Sequence, residues 1–169
     1  FHWSGITPSL SAHAAMATLE AIQAAHKAGL VISCDLNYRS KLWQYGKKPI
    51  DIMPSLISNT HVIMGDTDVM DVYFGMKVNN QTDACEKLIA RFPTIQYIGM
   101  TNREGLSASQ NTYQGFIYHQ RKIYESKYYE LPDMVDRIGT GDAYMAGLIY
   151  QLILYKKNKT TLDQAVDFA

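Results

Sequence analysis

The sequence predicts an α/β fold of stacked layers, with a mostly parallel sheet and an antiparallel hairpin edge, and three observations carry that expectation. Short apolar runs without polar alternation recur between helical patterns, as strands do when both faces of a parallel sheet are covered. Over residues 106–129 the pattern turns to Tyr, Ser and Thr with turn residues between, which reads as hairpin strands. A long helical pattern then opens at Asp142, directly after a glycine-rich turn.

Each element follows from its own signal. After Ser4-Gly5-Ile6-Thr7-Pro8 a helical pattern extends to Gly29, with Ala15, Met16, Leu19 and Ile22 on one face and Gly29 as the C-terminal cap. Residues 30–36 (Leu-Val-Ile-Ser-Cys-Asp-Leu) make the first clear strand, and His61-Val62-Ile63-Met64 the next. Between them, Pro49 and Pro54 punctuate a short helical segment. Asp66 can cap a helix reaching Phe74-Gly75, and Thr82 the following one, whose inner face is Cys85, Leu88, Ile89 and Phe92. A third strand is expected over 95–101, then turns at Gln110-Asn111 and Gln120-Arg121. The long helix, 142–155, would turn Ala143, Ala146, Gly147, Tyr150 and Leu154 inward, its small residues allowing close approach to a sheet. Thr161-Leu162-Asp163-Gln164 has the spacing of a capping box, with Leu162, Ala165, Val166 and Ala169 at helical spacing behind it.

Composition narrows the classes. The 169 residues suffice for one domain with a sizeable core, and 47% hydrophobic against 19% charged residues excludes a disordered tail or a disulfide-dense mini-protein. Sixteen Lys and Arg balance sixteen Asp and Glu, which gives no argument for nucleic acid or an anionic membrane surface. No apolar run approaches the roughly 20 residues of a spanning helix, and Phe1-His2-Trp3-Ser4-Gly5 lacks the features of a signal peptide. Cys34 and Cys85 fit no zinc or redox motif and read as reduced thiols of a cytoplasmic protein. His2, His13, His26, His61 and His119 form no metal spacing. The chain starts without methionine and stops inside an apolar helical face, so the expectation is a fragment: residues 1–169 as one partial domain, incomplete at both ends.

The sharpest local feature is Asp136-Arg137-Ile138-Gly139-Thr140-Gly141-Asp142. Two glycines around a small residue let consecutive amides turn toward one point, and the helix N-terminus adds partial positive charge there. An anion hole needs no carboxylate of its own. Asp142 makes sense beside one if it takes a proton from an attacking hydroxyl as a phosphoryl group arrives. The plainer reading is an N-capping aspartate after a glycine turn. A dinucleotide fingerprint would want glycine where Tyr144 stands, and a P-loop would want Lys-Ser/Thr after the second glycine, so neither is present.

Residues 136–147 resemble the second signature of the ribokinase/PfkB family of carbohydrate kinases. Within that family the chain is most similar to 2-keto-3-deoxygluconate kinases in three further places. These are Ser4-Gly5-Ile6-Thr7-Pro8, then Asp35-Leu36-Asn37-Tyr38-Arg39 with Leu42-Trp43, then Thr101-Asn102-Arg103 with Ser107-Ala108-Ser109 and Asn111. The four lie in order across nearly the whole chain. The resemblance implies a ribokinase-like fold of which this is the nucleotide-binding and catalytic part, without the N-terminal substrate and lid segment. It implies ATP and Mg2+ as cofactors, and Asp142 as the base that meets the acceptor hydroxyl of the substrate. The amides of Gly139, Thr140 and Gly141 would hold the transferring phosphate. Arg39 would meet the acidic substrate or the phosphate chain, where a planar cationic fork suits either. Asn37, two residues away on the same strand end, would point the same way toward nucleotide. Thr101 and Arg103, at the end of the next strand, would line the nucleotide site with Gly139 and Gly141.

One stretch departs from the family. Its Asn-x-x-Glu motif corresponds to Gly65-Asp66-Thr67-Asp68-Val69: aligning Asp66 with the asparagine puts Val69 where the acid belongs, and aligning Gly65 makes Asp68 the acid but loses the amide. Asp68 is the candidate metal residue, and the other ligands stay unassigned. Asp66, Asp68 and Asp71 also mimic the start of a calcium loop, but glycine is absent at 71 and Lys77 stands where glutamate is wanted. The expected function is ATP-dependent phosphorylation of a sugar acid, 2-keto-3-deoxygluconate to its 6-phosphate. The alternatives are a fructokinase-like or other PfkB sugar kinase, or a non-catalytic nucleotide- or metabolite-binding relative. The expected partner is a small sugar or sugar-acid substrate, not nucleic acid or membrane, with a homo-oligomer left open.

Overall fold

A computed structural model describes residues 1–105, 111–132, 136 and 138–169. The chain divides into two compact units, Phe1–Ile98 and Gly99–Ala169.

The first unit is built on three parallel strands, β1 (His2–Ser4), β2 (Ser33–Asp35) and β3 (Val62–Met64), in register His2 to Ser33 to Val62. Helices α1 (Ile6–Leu10) and α2 (Ala12–Lys27) link β1 to β2. Helix α3 (Pro49–Ile57) precedes β3, and α4 (Val69–Phe74) and α5 (Gln81–Arg91) follow it. Gly29 takes φ 69° after α2, where its N–H donates to the His26 carbonyl, as a terminating glycine should. The buried face of α2 is Ala15, Thr18, Ile22 and Ala25; Met16 is exposed and Leu19 only half-buried, against the expected face. Strand β2 is also shorter than the apolar run predicts. Leu30 and Val31 are exposed before it, and pairing begins at Ser33, whose N–H donates to the Phe1 carbonyl. The expected caps move as well. Helix α4 is preceded by Asp68 rather than Asp66, and α5 is capped by the Asn80 side chain, which accepts the Asp83 N–H at 2.9 Å, rather than by Thr82.

Strand β4 (Tyr97–Gly105) begins at the end of the first unit, where Tyr97 and the preceding Gln96 both donate to the His61 carbonyl. In the second unit β5 (Asn111–His119) pairs antiparallel with β6 (Lys122–Glu125) and β7 (Tyr129–Leu131). The expected turn at Gln120-Arg121 is present, with φ 50° and 63°, the left-handed pair of a tight hairpin. Asn111 is already the first residue of β5 rather than a turn residue; Gln110 lies outside the described residues. Helix α6 (Thr140–Lys156) starts two residues earlier than expected, and α7 (Leu162–Phe168) carries the anticipated capping box between Thr161 and Gln164. The buried residues of α6 are Tyr144, Met145, Leu148, Gln151 and Leu152, not the expected Ala143-Ala146-Tyr150 side. Small residues do serve close approach, but of helix to helix: a Cβ on Gly147 would stand 2.9 Å from the Ala169 Cα. Among the described residues no helix is long and apolar enough to cross a membrane.

Candidate active site

The start of α6 is held from both sides. Ahead of it, the Asp136 carboxylate accepts the Ile138 N–H at 2.9 Å. Gly139 stands as the N-cap with φ 80°, a left-handed conformation that glycine takes without a Cβ clash. The first helical bond runs from the Ala143 N–H to the Gly139 carbonyl, 2.9 Å, so the amides preceding Ala143 fall outside the ladder of the helix. Asp142 is exposed in the first turn. It is not the cap, and the reading of it as an N-capping aspartate gives way.

Tyr144 seats this helix end. Its hydroxyl donates to the Phe116 carbonyl of β5 at 2.8 Å, and its ring covers Gly115, where a Cβ would come within 2.7 Å of Cε2. A dinucleotide fold places a glycine on the helix for close packing against a strand. Here the glycine is on the strand and the bulk on the helix. Burial pushes the Tyr144 phenol well up, which keeps it a donor.

Thr101 and Arg103 lie within β4, which continues to Gly105, rather than at its end. Two apart in a strand they share a face, Thr101 half-buried and Arg103 exposed. Ser107, Ala108 and Ser109 lie outside the described residues, as does Arg137.

In the first unit, Asn37 and Arg39 follow β2 in a turn rather than on its strand end. Asn37 has φ 35°, and its N–H donates to the Asp35 carboxylate at 3.1 Å. Strand alternation therefore does not set the direction of its side chain, contrary to the sequence argument. Arg39 is exposed and its Nη1 donates to the Tyr38 carbonyl at 3.0 Å. The turn rests on aromatic rings. Tyr73, fully buried on α4, donates its hydroxyl to the Leu36 carbonyl at 2.8 Å and meets Tyr38 edge-on with centroids 5.5 Å apart. Trp43 has φ 66°, packs on Tyr73 at 6.3 Å and stacks with Tyr45 at 6.0 Å; the Tyr45 hydroxyl donates to the Pro8 carbonyl. Burial raises the Tyr73 phenol, with nearby Cys34, Tyr38 and Asp35 adding to it and Arg39 opposing.

The sequence matches the pfkB family of carbohydrate kinases over residues 1–169. The chain belongs to that family. It is 30% identical over 163 residues to a 2-dehydro-3-deoxygalactonokinase from Haloferax volcanii, covering 96% of this chain and 47% of that protein. A PfkB family carbohydrate kinase from Listeria grayi superposes with a TM-score of 0.85 at 27% identity, over 98% of this chain and 50% of that one. A 2-dehydro-3-deoxygluconokinase from Thermotoga maritima gives a TM-score of 0.86 at 25% identity with the same coverage, 98% and 50%. This pfkB chain thus spans about half the length of these relatives, and its fold is the expected ribokinase-like α/β architecture with a mixed, mostly parallel sheet.

The metal question turns on the donors present. Thr67, Asp68, Asp71 and Lys77 help line an open cavity of about 350 Å³ beside α4. Two exposed carboxylates suit a magnesium ion that keeps most of its water and is held chiefly by phosphate, and Lys77 opposes a bare cation. Among the described residues no three His, Cys, Asp or Glu side chains converge as a metal cage.

Sequence reasoning passed over Tyr73 and Tyr144. Their hydroxyls reach backbone carbonyls 37 and 28 residues away, a pairing that leaves no local pattern.

Proposed function

We propose that this pfkB chain supplies the nucleotide-binding and catalytic part of an ATP-dependent kinase for 2-keto-3-deoxy sugar acids, with 2-keto-3-deoxygluconate phosphorylated at its 6-hydroxyl. The observation that carries the reading is the start of α6: a left-handed Gly139 cap, amides outside the helical ladder, and an exposed carboxylate, Asp142, on the first turn that does not serve as the cap. The names of the Haloferax and Thermotoga relatives support the substrate class.

In this reading Asp142 accepts the proton of the 6-hydroxyl as its oxygen attacks the γ-phosphorus. The new O–P bond forms while the bond to the β,γ-bridging oxygen breaks, and ADP leaves. The amides of Gly139, Thr140 and Gly141 hold the charge on the moving phosphoryl group, a task suited to fixed dipoles at a helix N-terminus. In this reading Thr101 and Arg103 on β4 line the nucleotide, and Asn37 binds it from the turn after β2. Arg39 binds the substrate carboxylate or the phosphate chain through its planar fork. Asp68 is the residue offered to the magnesium side, where a bound ion would neutralise phosphate charge. The enzyme so read works in the cytoplasm.

The test is the full-length enzyme assayed with ATP and a panel of 2-keto-3-deoxygluconate, 2-keto-3-deoxygalactonate and fructose. Turnover with a keto-sugar acid that exceeds turnover with fructose is the expected result. Preference for fructose would replace the substrate class, and nucleotide binding without turnover on any sugar would support a non-catalytic relative.

A further inference from the structure

The turn that carries Arg39 is fixed at its root by two bonds of opposite sense. The Leu36 N–H donates to the Met64 carbonyl of β3 at 2.9 Å, and the Leu36 carbonyl accepts the Tyr73 hydroxyl at 2.8 Å. Leu36 and Tyr73 are both fully buried. Immediately afterwards Asn37 enters the left-handed region, so the direction in which the chain leaves Leu36 depends on how its peptide is held. The ring that supplies the hydroxyl also meets both Tyr38 and Trp43 edge-on, at 5.5 and 6.3 Å between centroids. Gly5 completes the seat. A Cβ there would lie 2.1 Å from the Leu36 oxygen and 3.1 Å from the Tyr73 hydroxyl, so a side chain at position 5 would displace this pairing. The Arg39 guanidinium in turn donates back to the Tyr38 carbonyl.

We propose that Tyr73 is a positioning residue for the acidic substrate, acting through the Leu36 peptide and the Tyr38 ring to set where Arg39 presents its fork. The proposal rests on the assignment of Arg39 to substrate binding. Tyr73 touches no substrate. Without its hydroxyl the buried Leu36 carbonyl loses its partner, and the peptide is free to rotate toward another donor at the cost of the Arg39 geometry. A core tyrosine with a merely satisfied hydroxyl would instead show its loss in stability alone.

The experiment is steady-state kinetics of the full-length enzyme with ATP and 2-keto-3-deoxygluconate for Tyr73→Phe, Arg39→Ala and the double variant, with Tm measured in parallel. Tyr73→Phe keeps the ring and removes one oxygen. The expected result is a rise of about three- to tenfold in the KM for the sugar acid, with kcat and the KM for ATP within about twofold of wild type, and no further rise when Tyr73→Phe is added to Arg39→Ala. Tyr38→Leu tests the link from the side of the turn and should raise the same KM. An unchanged sugar-acid KM in Tyr73→Phe or in Tyr38→Leu overturns the proposal. So does an equal rise in both backgrounds, or a fall in Tm accompanied by equal rises in both KM values. Arg39→Ala without effect would instead remove the assignment of Arg39, and with it the basis for Tyr73; a strong Arg39→Ala effect beside a silent Tyr73→Phe removes Tyr73 alone.

Discussion

The Gly139 carbonyl accepts the N–H of Ala143 at 2.9 Å, and this bond fixes where α6 begins. It makes Gly139 the cap and Asp142 a first-turn residue, so the carboxylate is not used in closing the helix. Asp142 is thus exposed on the first turn, where the helix dipole stabilises acids, and has no capping duty.

Asp142→Asn in the full-length enzyme should therefore lower kcat by at least about 10²-fold with the KM for ATP little changed, because general-base catalysis contributes roughly 10²–10⁴-fold. Folding should survive, since Asp142 is exposed. Steady-state kinetics beside a thermal melt check this, and a near-normal kcat would remove Asp142 as the base.

Arg39→Lys should act as a non-conservative change. An ammonium keeps the charge and loses the planar fork, which predicts a drop in kcat/KM for the sugar acid worth about 1–3 kcal/mol. Lysine kinetics matching arginine would make Arg39 a distant positive charge only.

Gly115→Ala and Gly139→Ala separate packing from backbone conformation. The first places a methyl 2.7 Å from a ring that is buried and held by the Phe116 carbonyl, and overpacking of that kind costs about 1–3 kcal/mol. The second meets nothing within 4 Å among the described residues and costs about 1–2 kcal/mol through its φ of 80°. Denaturant unfolding should show the Gly115→Ala loss together with a changed near-ultraviolet tyrosine signal, and Gly139→Ala with that signal intact. The same spectrum in both would contradict the seat assigned to Tyr144.

What the sequence made legible was local. The Gly139-Asp142 turn, the Thr161–Gln164 capping box and the Gln120-Arg121 hairpin each depend on residues within a few positions of one another, and each is present. Burial decided by distant partners was not legible. Leu30, Val31 and Met16 are apolar yet exposed, and the face expected inside α6 gives way to Tyr144, Met145, Leu148 and Leu152. The candidate site divides in the same way: the glycine turn that opens α6 could be read from spacing, whereas the turn of Asn37 and Arg39 depends on Tyr73, which no spacing links to Leu36.

A pH effect follows from Asp167 at the end of α7. The Lys127 N–H donates to its Oδ1 at 2.9 Å, and the Lys127 ammonium lies 3.0 Å from Oδ2. These contacts, the backbone bond first, hold the carboxyl below its ordinary value of 3.8. A lowered acid favours the folded state above its unfolded value and loses that contribution as pH falls through its folded one. Asp167→Asn should therefore flatten the decline of Tm between about pH 5 and 2, as both states of the amide bind no proton there. An unchanged acid slope by circular dichroism would show that other carboxylates set it.

His61 has a consequence for how the first unit reaches its register. Its ring Nδ1 accepts the Ile32 N–H at 3.0 Å, its own N–H donates to the Ile32 carbonyl, and its carbonyl receives the N–H groups of Gln96 and Tyr97. One residue thus fastens the entrances of β2, β3 and β4. A slip of β3 by one position would break the alignment on both flanks at once, with no half-shifted arrangement to rest in. The partners are 29 to 36 residues apart, so this fastening forms only when the strands have already been brought together. His61 thus ties the register of three strands to the bonds of a single residue, so that an error at any one of them is felt by the other two.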